Sequence, residues 1–216
     1  MGWLGLLLAL PAIVQAERLP IRTYTTADGL PRNFIQRIVR DSRGFLWFCT
    51  ADGLSRFDGY SFTTYGVEQG LPHPTINDLL ETRNGMYWVA TNGGGVCRIN
   101  PRSISDFGSW GAERRGSKQL PQSAIRNQFT VYPVGDNPRT NRVNVLYEDR
   151  AGQLWAGTEG GLFVLDETNG QGTFRRLELE VPWRPTGSLA VQALIEHQEG
   201  SLWMSSSWGL IRRLPN

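Results

Sequence analysis

The sequence predicts an all-β fold, a β-propeller in which about four blades of four strands each are present. Three observations support this prediction. The 216 residues include 25 Gly, 12 Pro and 8 Trp, and many turn formers together with many large aromatics are typical of short antiparallel strands. Hydrophobic residues make up 40% of the chain and charged residues 19%, which suits a packed core. Most informative is a sequence pattern that occurs four times.

The repeated pattern consists of residues at fixed distances from a glycine. Apolar residues lie nine and six positions before this Gly, a Trp lies three after it, a Thr or Ser six after it, and a second Gly nine after it. Agreement at so many positions in four copies predicts four copies of one structural unit. The repeat positions are Gly44, Trp47, Thr50 and Gly53; Gly85, Trp88, Thr91 and Gly94; Gly152, Trp155, Thr158 and Gly161; and Gly200, Trp203, Ser206 and Gly209.

Each position of the pattern predicts part of a blade. The first Gly follows a polar cluster such as Asp41–Arg43, which is typical of a tight turn, so it joins two strands as a hairpin. Residues 46–50 then form a strand that presents Trp47 to the neighbouring sheet. The second Gly begins another turn before a third strand, which covers residues 54–57 in the first copy. A fourth short strand follows at residues 62–65, 129–132 and 174–177.

The spacing between the repeated Trp residues sets the limits of the blades. The spacings are 41, 67 and 48 residues, and the first and third suit one blade per repeat. The second contains an inserted loop, placed at residues 101–128 because this segment is rich in Gly and Ser and lacks strand periodicity. A β-sandwich does not repeat at this length, and a β-helix turn is far shorter. The predicted blades lie near residues 30–66, 71–132, 138–178 and 187–216, the last of them truncated.

The blade count predicts that these repeats are part of a larger propeller. Each blade buries its Trp face only against the next blade, and closure of the ring removes exposed sheet edges. Propellers have about four to eight blades. Because the four copies are unequal and the fourth ends directly after its third strand, we expect an incomplete portion of a larger ring.

The first sixteen residues predict export. They carry no charge, are apolar from Trp3 to Val14, and end in Val14-Gln15-Ala16, where small residues suit signal peptidase. The apolar stretch is shorter than the roughly 20 residues that span a bilayer. Residues 1–16 are therefore interpreted as a signal peptide that directs residues 17–216 to the periplasm or the cell exterior. A basic n-region is missing, so a hydrophobic first strand is the alternative.

Charge and cysteine content exclude several classes of function. A formal net charge of +2, without runs of basic residues, argues against nucleic-acid binding through bulk charge. Cys49 and Cys97 are too few for a disulfide framework and lack the spacing of a zinc motif, so neither a metal nor a cofactor is predicted. The two thiols are interpreted as separately buried, and a disulfide between them is the alternative.

Two stretches carry a resemblance to a known family. DGLPRNFIQRIVRDSRGFLWFCTADGLSRFDG at residues 28–59 and INDLLETRNGMYWVATNGGG at residues 76–95 resemble two component regulator propeller repeats. The lead-in at residues 28–33 fits the family closely, and residues 69–72 repeat it less fully. The departures are Thr82 and His197, where Asp is usual in the family, and an additional Gly within residues 93–95.

The resemblance implies the periplasmic sensor region of a two-component receptor. Proteins of this family place seven-bladed propellers before a membrane helix and a cytoplasmic histidine kinase or another output domain, and several sense oligosaccharides. The resemblance therefore implies an oligosaccharide or similar small ligand, together with membrane and kinase domains that lie outside this sequence. Rearrangement of blades or of a homodimer would carry the signal.

Ligand-binding candidates are aromatic and basic residues that the repeat does not require. Trp faces stack on sugar rings, Arg donates hydrogen bonds to hydroxyls or carboxylates, and binding residues concentrate in loops on a rigid scaffold. The repeated Trp residues, by contrast, are assigned to packing between blades. For each candidate, packing between blades or protomers is the alternative. The candidates are Trp110, Arg114 and Arg115 in the inserted loop, Trp183 and Arg184 between the third and fourth blades, and Trp208 in the fourth.

The sequence predicts no catalytic site in this chain. Its two histidines, His73 and His197, do not lie near a Ser, Cys or carboxylate in a recognised motif. Two alternatives to a sensor stay open: a secreted propeller that acts as a scaffold for protein interaction without signalling, and a propeller lyase or hydrolase. Four acids at related repeat positions are interpreted as turn and strand-end groups: Asp41, Glu81, Glu148 and Glu196.

Overall fold

The computed structural model describes residues 19–100, 129–167, 172–180 and 186–215. These residues form fifteen strands and two short 3₁₀ helices, Thr26–Asp28 and Val67–Gln69. The predicted signal peptide, residues 1–16, and the predicted inserted loop, residues 101–128, lie outside the described residues. No helix among the described residues is long and apolar enough to cross a membrane.

The strands form four antiparallel sheets, each built from strands that are consecutive in the chain. The first three sheets have four strands and the fourth has three described strands. This arrangement confirms the predicted all-β propeller fold. Blade 1 contains β1 (Ile35–Arg40), β2 (Leu46–Thr50), β3 (Gly53–Phe57) and β4 (Phe62–Tyr65); blade 2 contains β5 (Ile76–Glu81), β6 (Tyr87–Thr91), β7 (Val96–Ile99) and β8 (Phe129–Tyr132). Blade 3 contains β9 (Val143–Glu148), β10 (Leu154–Thr158), β11 (Gly161–Asp166) and β12 (Thr173–Leu177); blade 4 contains β13 (Val191–Glu196), β14 (Leu202–Ser206) and β15 (Gly209–Arg213).

The four blades lie side by side in an arc, and the first strand of each blade lies at the inner edge of this arc. Strands β1, β5, β9 and β13 contact one another from blade to blade, whereas the fourth strands lie at the outer edge. Each inner strand has a register shift after its first residue, as between Ile35 and Arg37 in β1. The four blades are therefore copies of one unit down to the position of a β-bulge.

The repeated Trp residues occupy equivalent places in the four blades. Trp47 lies opposite Val39 on β1 and Arg56 on β3, and Trp203 lies opposite Ile195 and Arg212 in the same way. The hairpin before each Trp begins at Asp41, Thr82, Asp149 or His197, whose backbone N–H donates to the carbonyl four residues further on. In blade 1 the Asp41 carboxylate accepts hydrogen bonds from the backbone N–H groups of Arg43 (3.0 Å) and Phe45 (2.9 Å).

The backbone conformation of this hairpin explains why a glycine is required. Gly44 has φ +90°, a value in the left-handed region that L side chains rarely adopt. The equivalent glycines of the other blades, Gly85, Gly152 and Gly200, have φ between 77° and 86°. The turn chemistry of the repeat thus sets the backbone conformation at four places in the chain.

The second turn of blade 2 corrects one predicted repeat position. The hydroxyl of Thr50 donates to the carbonyl of Gly53 at 2.8 Å, and the equivalent pairs in blades 3 and 4 have the same bond. In blade 2, Thr91 donates to the carbonyl of Gly95 at 2.8 Å. The equivalent glycine is therefore Gly95, with φ +76°, and not Gly94. The additional glycine lengthens this turn by one residue, so counting positions in the sequence selects the wrong one.

The hydrophobic core lies between blades rather than within them. We call the face of a blade that packs on the next blade its outgoing face, and the face that packs on the preceding blade its incoming face. Trp47 on the outgoing face of blade 1 packs in one cluster with Leu79 and Tyr87 on the incoming face of blade 2. Trp88 and Trp155 occupy the same place in the next two clusters. Cys49 and Cys97 are buried in the first cluster as free thiols, so the disulfide alternative is not formed.

Candidate functional site

Antiparallel order gives the arc two ends with different chemistry. At one end lie the segments that lead into each inner strand and the hairpins that join the second strand to the third. We call this the lead-in end. At the other end lie the hairpins that join the first strand to the second, here called the clasp end. Loops at the ends of a propeller are the places where a rigid scaffold displays binding residues.

Two short 3₁₀ helices fix the lead-in segments of blades 1 and 2. The Asp28 carboxylate accepts a hydrogen bond from the backbone N–H of Thr25 at 2.8 Å, and the Gln69 side chain accepts one from Gly66 N–H at 2.6 Å. A leucine that follows each helix is buried, and Leu71 belongs to the cluster between blades 1 and 2. The Asp-Gly-Leu motif therefore anchors a loop and contributes an apolar contact.

The lead-in end carries exposed polar pairs. Arg32 and Asp52 lie 3.3 Å apart, and half of each side chain is exposed. At the boundary of blades 3 and 4, Arg139 Nη1 donates to Ser188 Oγ at 2.7 Å. His73 accepts a hydrogen bond at Nδ1 from Thr75 N–H (3.1 Å), so it closes its own loop. These groups offer charged donors and acceptors to solvent at one end of the arc.

Trp208 is the one predicted ligand-binding residue that the structure describes. It lies in the β14–β15 hairpin at the lead-in end and is partly buried against the cluster between blades 3 and 4. Its indole Nε1 is buried and has no hydrogen-bond partner among the described residues. The backbone N–H of Trp208 donates to Ser206 Oγ at 3.2 Å, which holds the hairpin. Trp208 therefore combines a packing contact with an unused donor.

The other predicted ligand-binding residues lie outside the described residues: Trp110, Arg114, Arg115, Trp183 and Arg184. The described residues that flank them still have places in the fold. Ile99 and Phe129, on either side of segment 101–128, end β7 and begin β8 at the clasp end. Leu177 ends β12 and Val191 begins β13 at the lead-in end, where the hairpin of Trp208 also lies.

An amide side chain at the bulge of each inner strand was missed in the sequence. The additional residue of the bulge is Gln36, Asn77, Asn144 or Gln192 in the four blades. Asn77 Nδ2 donates to the carbonyl of Val143 in blade 3 at 2.8 Å, and Asn144 Nδ2 donates to Val191 in blade 4 at 3.0 Å. A bulge turns a side chain out of the strand's alternation, and here it directs an amide across a blade boundary. The available signal was an Asn or Gln directly after the first apolar repeat position.

At the clasp end, a glutamate joins each of blades 2, 3 and 4 to the blade before it. Glu81 accepts hydrogen bonds from Ser42 N–H and Oγ of blade 1, both at 2.6 Å. Glu148 accepts from Arg83 N–H at 2.8 Å, and Glu196 accepts from Arg150 N–H at 2.8 Å. We call each such contact a blade clasp. The acids at these positions stabilise blade boundaries, a role that goes beyond the strand-end groups expected from the sequence.

A buried carboxylate connects three blades near the inner edge. Asp78 of β5 is almost completely buried, pairs with Arg37 Nε of blade 1 at 2.8 Å, and accepts a hydrogen bond from Leu146 N–H of blade 3 at 3.0 Å. Burial raises the pKa of Asp78 to about 6, although these two contacts act in the opposite direction. Burial likewise raises the pKa of the Cys49 and Cys97 thiols to about 12, so both are neutral.

The described residues do not assemble groups for acid–base or nucleophilic catalysis. His73 lies at the lead-in end, whereas His197 lies at the clasp end beside Glu199 (3.6 Å). The buried thiols are protonated, and the described residues contain no cluster of three or more metal-binding side chains. What the described arrangement offers is a rigid arc with polar and aromatic groups at its lead-in end.

Comparison with known proteins places this arc in a family context. The model of the family described as two component regulator propeller matches residues 29–52, 70–93 and 137–160. A curated relative, histidine kinase P4 of Formosa agariphila, is 36% identical over 58 residues, which are 27% of this chain and 4% of that protein. The sequence pattern also identified the fourth repeat, near Trp203, which lies outside the three matched segments.

Two solved structures are similar to most of the chain. The extracellular domain of the putative hybrid two component system BT3049 of B. thetaiotaomicron has a TM-score of 0.63 and 20% identity, and it covers 93% of this chain and 24% of that one. The extracellular domain of the putative one component system BT4673 of the same organism has a TM-score of 0.60 and 27% identity, with 84% and 24% covered. The chain thus spans about a quarter of these structures and a small part of the kinase.

Proposed function

Because the chain carries repeats of the two component regulator propeller family, we propose that it is the extracytoplasmic ligand-sensing propeller of a two-component signalling receptor. The match of three repeats and the likeness to extracellular domains of bacterial signalling systems support this proposal. The apolar first sixteen residues fit export to the periplasm or the cell exterior. In this proposal the membrane and kinase domains lie elsewhere in the receptor, and the propeller itself has no catalytic role.

We further propose that the lead-in end binds an oligosaccharide or a similar small polar ligand. The observation that carries this proposal is Trp208, a partly exposed indole in the β14–β15 hairpin that the repeat does not require. Arg139 and Ser188 lie at the same blade boundary and supply a guanidinium and a hydroxyl. A sugar uses an indole face for stacking and charged or hydroxyl groups for its own hydroxyls.

In this proposal, contacts between blades carry the signal from the lead-in end to the rest of the receptor. A ligand bound at the boundary of blades 3 and 4 would change the hydrogen bonds of the Asn144 amide and the Glu196 clasp, which both join these blades. A shift of one blade against the next would then reach a homodimer contact or the membrane-proximal domains. This coupling is a rearrangement between rigid sheets, in keeping with motions that occur at packed interfaces.

Titration calorimetry of residues 17–216 with a panel of oligosaccharides from plant, algal and bacterial polysaccharides tests the ligand class. At least one member should bind, and Trp208→Ala should weaken that binding about ten-fold or more, a loss comparable to one stacked aromatic contact. Tyr60→Ala is the matched control, because Tyr60 is an aromatic residue that is 96% exposed at the clasp end. Binding that is unaffected by Trp208→Ala, or weakened equally by Tyr60→Ala, would remove Trp208 from the site.

A further inference from the structure

The bulge of blade 1 leaves an amide side chain free at the inner edge of the arc. Gln36 is the additional residue of this bulge and is exposed. Its equivalents Asn77 and Asn144 donate to backbone carbonyls of the next blade at 2.8 and 3.0 Å. Gln36 has no hydrogen-bond partner among the described residues, although blade 2 lies beside it. The free amide therefore belongs to a blade boundary that is already formed.

Arg37 presents a guanidinium next to this amide. Adjacent side chains of a regular strand point to opposite faces, and the bulge changes this alternation between Gln36 and Arg37. The Arg37 side chain is 51% exposed and its Nε lies 2.8 Å from the Asp78 carboxylate of blade 2. Its Nη1 and Nη2 have no hydrogen-bond partner among the described residues. Val145 and Ala193 hold the equivalent position in blades 3 and 4, so the described arc has one such guanidinium.

Asp78 supplies the charge that balances Arg37, and among the described residues it is the only acid within ion-pair distance of this guanidinium. The groups that face Asp78 are Arg37 from β1, the neutral Cys49 thiol from β2, the Leu146 N–H from β9 and the N–H of the next residue in β5, while Ala90 lies opposite it on β6. Burial raises the pKa of Asp78 to about 6. Protonation of Asp78 therefore removes the negative charge that Arg37 faces.

We propose that Gln36 and Arg37 form a binding site for an oxyanion, a carboxylate or sulfate group, which fills when Asp78 is neutral. The guanidinium carries a planar fork of donors that matches two oxygens of such a group, and the Gln36 amide adds another donor. An ionised Asp78 balances the charge of Arg37 and competes with the anion, whereas a neutral Asp78 leaves a half-exposed cation without a counter-charge. By linkage, a bound anion favours the protonated form of Asp78 to the same extent.

Titration of the isotope-labelled protein with sodium sulfate, sodium glucuronate and neutral glucose, at constant ionic strength, tests the site. The readout is the nuclear magnetic resonance signals of Arg37 Nε–H and the Gln36 amide. With a pKa of about 6, about nine in ten molecules carry a neutral Asp78 at pH 5 and about one in thirty at pH 7.5, so both anions should bind about 30-fold more tightly at pH 5. Glucose should not bind. Tighter binding of glucuronate would identify a sugar acid as the ligand, and tighter binding of sulfate a sulfate group.

Asp78→Asn separates this site from other groups that titrate in the same range. Because an amide is neutral at both pH values, this variant should bind sulfate equally at pH 5 and pH 7.5, as tightly as the unchanged protein does at pH 5. Adding Arg37→Gln should abolish binding, and it leaves no unpaired charge in the interior because Asp78 is already replaced. Thermal unfolding of each variant checks that the blades are intact.

Arg175→Gln is the matched control, because Arg175 is an exposed arginine on β12 in blade 3. It should leave the affinity for sulfate unchanged at both pH values. Three results would overturn the proposal: sulfate binding to the unchanged protein that does not depend on pH, the absence of binding to Asp78→Asn, or binding that persists when Arg37→Gln is added.

Discussion

Asp41 serves a turn and a blade boundary with one carboxylate. It accepts hydrogen bonds from two backbone N–H groups of its hairpin, from Trp47 Nε1 at 2.9 Å, and from the Tyr87 hydroxyl of blade 2 at 2.9 Å. Asp149 repeats the bond to its own Trp, Trp155, at 2.8 Å. An Asp at this position therefore fixes the indole that packs on the next blade. Where Thr82 replaces it in blade 2, the side chain donates instead to the Met86 carbonyl at 3.0 Å.

Asp78 gives the protein a pH dependence of defined sign. Its pKa is raised from 3.8 to about 6, so between these values the unfolded chain releases this proton before the folded chain does. Stability from this group is full below pH 3.8 and is lost as the pH rises to about 6. Two pKa units correspond to about 3 kcal/mol. Asp78→Asn should therefore flatten the free energy of unfolding between pH 4 and pH 7, measured by denaturant titration at each pH.

A control for this experiment carries a pKa shift of the opposite direction. The hydrogen bond from Ser61 N–H lowers the pKa of the exposed Asp58 carboxyl. Its contribution is present above the unfolded pKa and is lost only as the pH falls through the lower folded value. Asp58→Asn should leave the profile between pH 4 and pH 7 unchanged. A profile that Asp78→Asn fails to flatten would show that the Arg37 and Leu146 contacts outweigh burial.

At the scale of strands and hairpins, the blade clasps convert four separate sheets into one arc. Glu148 accepts the Arg83 N–H, and Arg83 Nη1 in turn donates to the Arg150 carbonyl at 2.9 Å. Glu148→Ala should lower the free energy of unfolding by about 1–2 kcal/mol, because a charged acceptor whose side chain is only 13% exposed is removed from the Arg83 N–H. Glu148→Gln should cost less, since its amide oxygen still accepts. Both values come from equilibrium denaturation.

Glu178→Ala is the matched control for the clasp. Glu178 pairs with Arg176 within its own segment at 3.4 Å, and its side chain is 84% exposed, so its loss should cost less than about 0.5 kcal/mol. If Glu148→Ala costs no more than Glu178→Ala, the clasp contributes nothing to the boundary. The comparison separates a contact between blades from the general effect of removing a negative charge.

Strands and hairpins were predictable because their signals are local. Gly44 and Trp47 specify a turn and a strand within a few residues, and the predicted Leu46–Thr50 strand has the same bounds in the structure. The clasps and bulge amides depend on a partner about 40 to 70 residues away, as between Glu81 and Ser42, so their function is not visible in any one repeat. Gly94 was assigned wrongly for a related reason: one inserted residue shifts the count without changing the pattern.

The sequence could predict the candidate site only as a set of aromatic and basic residues that the repeat pattern does not require. Trp208 was selected because three other blades have a smaller residue there, and the structure adds its contact with the cluster between blades 3 and 4. Arg139 and Ser188 come from the segments that lead into blades 3 and 4, which the sequence pattern did not select as ligand-binding candidates. The topology of the arc brings loop residues from different blades together at one end, and this proximity cannot be predicted from composition.

At the scale of the whole molecule, stability should differ between boundaries that are formed and faces that are open. Leu79→Ala removes an aliphatic side chain from the closed boundary of blades 1 and 2, and should cost about 2–5 kcal/mol. Ile38→Ala makes a closely related change at the equivalent position of an open face and should cost about 0.5 kcal/mol or less. Equilibrium unfolding of the two variants at the same protein concentration measures the difference. Equal losses would mean that the incoming face of blade 1, the face on the side away from blade 2, is covered in solution.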